Sequence, residues 1–126
     1  MKIADVSKEY GLSADTLRYY ERIGLLPGVT RTESGIRDYS EQDLARVQFV
    51  KCMRDAGVSI EALIEYMNLF EEGEHTAAAR KMLLEEQRDL VEKRIADMQA
   101  GLDRLNKKIE NYEDMLAKER EIRGVA

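Results

Sequence analysis

Apolar residues return at helical intervals through most of this chain, and the places where that rhythm stops mark out its parts. Ile3, Val6 and Tyr10 share one face of a first predicted helix, which Gly11 closes. Leu12 seats a turn. Ser13 then suits the N-cap of a second helix, from Ala14 to about Ile23, with Asp15 in the first turn where the helix dipole favours an acid. Leu17 and Tyr20 point to one side of that helix. Asp15, Arg18, Tyr19 and Arg22, spaced i, i+3, i+4 and i+7, share the other. Two short helices across a glycine-containing turn are a helix-turn-helix candidate.

From Gly24 to Tyr39 the helical period vanishes. Pro27-Gly28 and Ser34-Gly35 signal turns, and Val29, Thr30, Arg31, Ile36, Arg37 and Tyr39 suit short strands, so a β-hairpin wing is expected. Ser40 and Asp43 resemble a capping box with Asp in place of the usual Glu or Gln. The helix they open runs to about Ala56 and is apolar on several sides (Leu44, Val47, Phe49, Val50, Met53), which predicts burial. Gly57 ends it. Ser59 caps a fourth helix striped by Ile60, Leu63, Ile64, Met67 and Phe70.

Beyond Glu72-Gly73 the pattern becomes a heptad. Val91, Ile95, Met98, Leu102, Leu105, Ile109, Tyr112 and Leu116 alternate spacings of four and three, with Leu84 on the same seam and Arg88 interrupting it. Asp89 with Lys93, Asp103 with Lys107, and Asp114 with Lys118 are i, i+4 pairs. One helix from about His75 to Lys118 would be roughly 65 Å long. A domain of some 70 residues cannot cover such a stripe, and a second copy of the same helix is the simplest partner. The expected organisation is a helix-turn-helix domain over residues 1–71, then a linker and dimerisation helix with a short tail over 72–126.

Composition narrows the classes. One proline, no tryptophan and abundant Glu, Lys, Arg, Leu and Ala favour helix throughout. No apolar run approaches the length needed to cross a bilayer and no signal peptide is evident, so no membrane partner and a cytoplasmic location are expected. A single cysteine excludes an intramolecular disulfide framework. The net charge of −5 looks unfavourable for a nucleic-acid binder until it is located. Up to Val58 there are nine Lys/Arg against nine Asp/Glu, and from Ser59 onward eleven against sixteen. The acidity lies in the second half, and phosphate attraction is local, screened over roughly 10 Å at ~0.1 M salt. There is no glycine-rich phosphate loop, no Ser-His-Asp set and no paired histidine, so an enzyme is not expected.

Arginine's planar fork suits phosphate oxygens and guanine edges, and tyrosine hydroxyls reach phosphates. On an isolated helix, Arg18 and Arg22 would as readily pair with Asp15 or Glu21. The capped turn before them and the cationic wing after them favour duplex DNA, with Arg31, Arg37 and Tyr39 on the sugar-phosphate backbone.

The segments Leu17-Arg18-Tyr19-Tyr20-Glu21, Gly24-Leu25-Leu26-Pro27, Arg31, Gly35 to Tyr39 and Asp43-Leu44 together resemble the MerR family of bacterial transcription regulators over about residues 1–71. The resemblance implies a mainly α-helical fold: a winged helix-turn-helix followed by a long helix that forms an antiparallel coiled coil. It implies a homodimer on a palindromic operator in double-stranded promoter DNA, acting with RNA polymerase holoenzyme by bending and underwinding the promoter. Thr16, Arg18 and Tyr19 would contact DNA from the recognition helix, with Arg22 beside them. Tyr20, Arg37 and Tyr39 would be backbone contacts or wing supports, and Arg31 a further wing contact. Ile36 departs from the aromatic more usual between Gly35 and Arg37.

No cofactor or metal is expected. Metal-sensing members carry cysteines near the end of the long helix, and this chain has none after Cys52; iron-sulfur sensing needs about four. His75 reads as a surface residue. Lys51-Cys52-Met53-Arg54 resembles the NmlR-like branch of the family, which responds to aldehydes or thiol-reactive stress through a cysteine here. A thiolate is the reactive form, and Lys51 and Arg54 are cations near enough in sequence to favour it. The alternatives are a noncovalent small-molecule inducer with a structural Cys52 (free cysteine being a common small hydrophobe in helices) and a coiled-coil interaction module that recruits another protein.

Overall fold

The computed structural model describes residues 1–124. Its helices are α1 (Ile3–Tyr10), α2 (Ala14–Arg22), α3 (Glu41–Asp55), α4 (Ile60–Glu72), α5 (Ala77–Glu110) and α6 (Tyr112–Arg123), with a single 3-10 turn at Glu74–Thr76 before α5. The fold is mainly helical, and no strand forms among the described residues.

The starts and stops follow the side-chain chemistry. Gly11 ends α1 in the left-handed conformation at φ 69°, where a Cβ would be strained. Ser13 Oγ accepts the Thr16 N–H at 3.0 Å to cap α2. Ser40 and Asp43 form a reciprocal capping box on α3, and Ser59 caps α4 through the Ala62 N–H.

By contact the chain divides into two compact units, Met1–Val91 and Glu92–Ala126. The first takes in the opening turns of α5, where Gln87 Oε1 accepts the Ser59 N–H at 3.1 Å at the head of α4. Its core gathers Val6 from α1, Leu17 and Tyr20 from α2, Leu25, Leu26, Val29 and Tyr39 from the intervening loop, Val47 and Val50 from α3, and Leu63 and Met67 from α4. Each such aliphatic side chain contributes roughly 1.5–3 kcal/mol by leaving water. The loop between α2 and α3 therefore puts four apolar anchors into the core, which fixes its path.

The second unit holds the rest of α5, and α6. Neither helix has a buried residue. Ile95, Met98, Leu102, Leu105, Ile109 and Tyr112 are all exposed, Met98 at 77%.

Four expectations change. The predicted β-hairpin is a tight loop with one isolated antiparallel bridge, Arg31 to Arg37, because its arms are two to three residues long and its ends are held by side chains. The long helix does not begin at His75. Gly73 takes φ 127°, open to glycine alone, and Thr76 Oγ1 donates to Leu69 O and Gly73 O, both at 2.7 Å, which closes α4 before α5 begins. Nor does the helix run unbroken to Lys118. Asn111 opens it by one residue between α5 and α6, as suits a side chain that competes for backbone hydrogen bonds. Two of the expected charge pairs are also re-partnered: Lys93 reaches Asp97 at 3.8 Å, and Asp103 accepts from Gln99 Nε2 at 2.9 Å.

Candidate nucleic-acid interface

Burial of Leu17 and Tyr20 turns the opposite side of α2 to solvent. Arg18 and Arg22 lie exposed on it, with Tyr19 at 38%. Arg18 Nη1 pairs with Asp15 Oδ1 at 3.0 Å, an exposed bridge of the kind worth little in water, so it is readily exchanged for another anion. The Arg22 guanidinium lies 5.3 Å from the centre of the Tyr19 ring, which holds both side chains in one arrangement. Thr16 is half-buried, and its hydroxyl accepts from Ser13 Oγ at 2.8 Å. The simple pairing foreseen for Arg18 therefore exists; Arg22 rests on an aromatic ring.

The wing is tied down at several points. Arg46 Nη1 of α3 donates to Pro27 O at 3.3 Å, and Thr30 N donates to Asp43 Oδ2 at 3.0 Å. Burial pushes the Asp43 carboxyl up, but hydrogen bonds from the Ser40 and Thr30 backbone outweigh this and hold it below the usual carboxylate range. At the tip Thr32 N donates to Ile36 O at 2.8 Å, and Gly35 takes φ 86°. Ile36 is exposed at that tip.

Glu21 joins wing to helix. Its Oε2 accepts from Arg31 Nη2 at 3.0 Å and its Oε1 from Arg37 Nε at 2.6 Å. Sequence reasoning placed Glu21 only as a partner for α2 neighbours. The signal that could have found it is an acid on the helix preceding a loop with two cations six residues apart.

Tyr20 and Tyr39, expected as backbone contacts or wing supports, both lie in the core. Tyr39 is 2% exposed, and its hydroxyl has no hydrogen-bond partner among the described residues. Burial raises its phenol above the ordinary value. The surface cations are thus Arg18, Arg22, Arg31 and Arg37, around one exposed tyrosine.

Cys52 is exposed on α3, with Gln48 Nε2 3.2 Å from its Sγ. The neighbouring cations are engaged elsewhere: Lys51 with Asp55 at 3.0 Å, and Arg54 Nη1 with Val58 O at 2.8 Å. A mostly apolar hollow of about 230 Å³ opens between α3 and α4, walled by Phe49, Tyr66, Met67 and Phe70 with Arg46 alongside. No group of three or more potential metal ligands occurs among the described residues.

Residues 1–70 match the family described as MerR HTH family regulatory protein, and residues 44–117 match the one described as MerR, DNA binding. The HTH-type transcriptional regulator AdhR of Bacillus subtilis (strain 168) is 60% identical over 88 residues, covering 70% of this chain and 63% of AdhR. The alignment thus spans less than two thirds of that relative's length. The regulator ZntR of Escherichia coli (strain K12) is 37% identical over 109 residues, covering 83% of this chain and 77% of ZntR. Among solved structures, a Listeria monocytogenes chain assigned to the MerR family of transcriptional regulators superposes with TM-score 0.83 at 51% identity, covering 96% of this chain and 92% of that one. HiNmlR, a MerR family regulator lacking the sensor domain and bound to promoter DNA, superposes with TM-score 0.76 at 32% identity, covering 92% of each chain. The exposed side of α2 and the wing fixed beside it fall within the matched residues, and the chain belongs to the MerR family of helix-turn-helix regulatory proteins.

Proposed function

We propose that this chain is a transcriptional regulator that binds promoter DNA as a homodimer, with residues 1–71 holding the duplex and residues 72–126 joining two copies. The observation that carries this reading is the cationic surface of α2 and the wing: four arginines and Tyr19 set on a core that faces the other way. Arg18, Tyr19 and Thr16 meet the major groove, with Arg22 beside them. Arg31 and Arg37 grip the backbone, while Tyr20 and Tyr39 support the wing from within. The likeness to HiNmlR, solved on promoter DNA, supports the same assignment. The exposed stripe on α5 and α6 supports dimerisation through an antiparallel coiled coil. Distortion of the promoter under RNA polymerase holoenzyme is what the family resemblance implies for such a regulator, and the cytoplasm is where such DNA lies. No described helix is long and apolar enough to cross a membrane.

Binding of a promoter duplex by wild-type chain and by Arg18→Ala tests it. A bidentate arginine-base contact is worth about 1–3 kcal/mol, so the variant should bind roughly tenfold or more weakly. Equal binding would remove α2 from the interface.

The exposure of Cys52 favours electrophile sensing as the input. Alkylation or oxidation of its thiolate would add bulk or polarity on α3, at the side chain that Gln48 touches. Cys52→Ser should then bind the operator normally and lose response to an aldehyde in a transcription assay. An undiminished response would assign the input to another site, the α3–α4 hollow first.

A further inference from the structure

Arg31 and Arg37 stand opposite one another in the wing as a non-hydrogen-bonded pair. Asp38 N donates to Thr30 O on one side of them and Thr32 N donates to Ile36 O on the other. Facing side chains come closest in such pairs, with Cα atoms about 4.5 Å apart, and like charges directly opposite destabilise them. Here the repulsion is not left to solvent. A single carboxylate, Glu21 of α2, takes one arginine on each oxygen, while Arg31 Nη1 also donates to Gly35 O at 2.9 Å. The Glu21 side chain is 19% exposed, against 40% for Arg31 and 25% for Arg37, so the acid lies beneath the two cations. The nitrogens without an acceptor among the described residues are Arg37 Nη1 and Nη2 and Arg31 Nε.

We propose that Glu21 is a positioning residue for DNA recognition: it fixes both wing arginines to the recognition helix, so that their remaining N–H groups meet phosphates in a register set by α2. The proposal rests on the promoter-binding reading above. It opposes the plain charge argument. An acid near a polyanion repels it, so charge alone says that removing Glu21 should tighten binding to every duplex. Positioning says that the operator should lose what other DNA gains, because phosphate contacts made from a loose wing no longer select one register.

The test uses the full chain as wild type, Glu21→Gln, the double variant Arg31→Gln/Arg37→Gln, and the triple variant. Fluorescence anisotropy is read on a duplex that the wild type selects from a random pool and on a scrambled duplex of the same composition. Glu21→Gln should bind the selected duplex roughly tenfold more weakly, the scale of a lost charge-assisted contact, and the scrambled duplex as well as or better than wild type. In the double-arginine background the same substitution should change nothing. Tightening on both duplexes would overturn the proposal, as would an undiminished tenfold loss in the double background, which assigns the effect to α2 itself. Arg37→Lys carries the test should Glu21→Gln unfold. Lysine's donors sit on one nitrogen without arginine's planar fork, so it cannot keep one edge on Glu21 and present another to a phosphate; it should lose comparable affinity for the selected duplex only, and wild-type binding would refute the role. A wild type that selects no duplex defeats the promoter-binding reading instead, and this proposal with it.

Discussion

The two compact units of this chain solve the burial problem in opposite ways. The first closes twelve apolar side chains into one core drawn from four helices and the loops before and after α3. In the second, α5 and α6 bury nothing and carry a continuous apolar stripe in the open. Both are rich in Leu, Ile, Val and Met, so composition does not separate them. Period does. In the first unit the apolar faces are short and interrupted by caps and turns, so each helix can be folded back onto the others. The heptad beyond Val91 continues for some 25 residues with nothing to reverse the chain, so what it buries must come from outside it.

The contrast breaks most sharply where the stripe is charged. Leu102→Glu with Leu105→Glu should weaken self-association at least a thousandfold, about 4 kcal/mol, by analytical ultracentrifugation, because four leucines per dimer leave the seam. The thermal transition of the first unit should stay where it was. Leu17→Ala is the mirror experiment, expected to cost the first unit about 2–5 kcal/mol with the seam untouched. A shift of both properties by either variant would mean that the two units are not independently stabilised.

A smaller effect concerns the acid that anchors the wing. Asp43 is held below the usual carboxylate value of about 3.9, so its contribution is fully present above that value and is lost as pH falls through the lower folded value. Thermal stability measured from about pH 6 down to pH 2.5 should fall steeply only below about pH 4. Asp43→Asn should cost roughly 1–3 kcal/mol near neutrality and flatten that fall. Whatever slope survives belongs in part to Asp38, held low by its hydrogen bond from the Met1 ammonium and by Lys2. An unchanged slope would remove Asp43 from the wing's stability.

The smallest effect separates support from contact. Tyr39→Phe deletes a buried hydroxyl without a partner, so stability should change by less than about 1 kcal/mol and the affinity for DNA should hold. A large loss of affinity would return Tyr39 to the list of phosphate contacts.

What could be read from the amino acids alone was the capping chemistry and facing encoded within a few residues, though not the i, i+4 charge pairs of α5. Ser13, Ser40 with Asp43, and Ser59 cap the helices they precede, and Gly11 ends α1, because capping is a matter of adjacent atoms. The cationic face of α2 followed from its spacing for the same reason. Long-range pairings were not legible. That Glu21 would turn to the wing, that Asp43 would cap α3 and hold Thr30 at once, and that Tyr39 would go inward all depend on how the loop after α2 folds back. The loop's alternating residues argued for strands, yet its arms are too short to build a ladder, and side chains do the holding. Asn111 was visible as a weak helix former, but the heptad running through it masked the break.

The stripe on α5 and α6 carries one more consequence, for the cell's economy of this protein. A segment that hides its apolar face only in another molecule has no stability independent of abundance, since association follows mass action. Dilute chains would present Ile95, Met98 and Leu105 to chaperones and proteases, while concentrated ones would not. With the stripe covered by a second copy, as proposed, copy number would govern the protein's lifetime, and it would accumulate with a threshold.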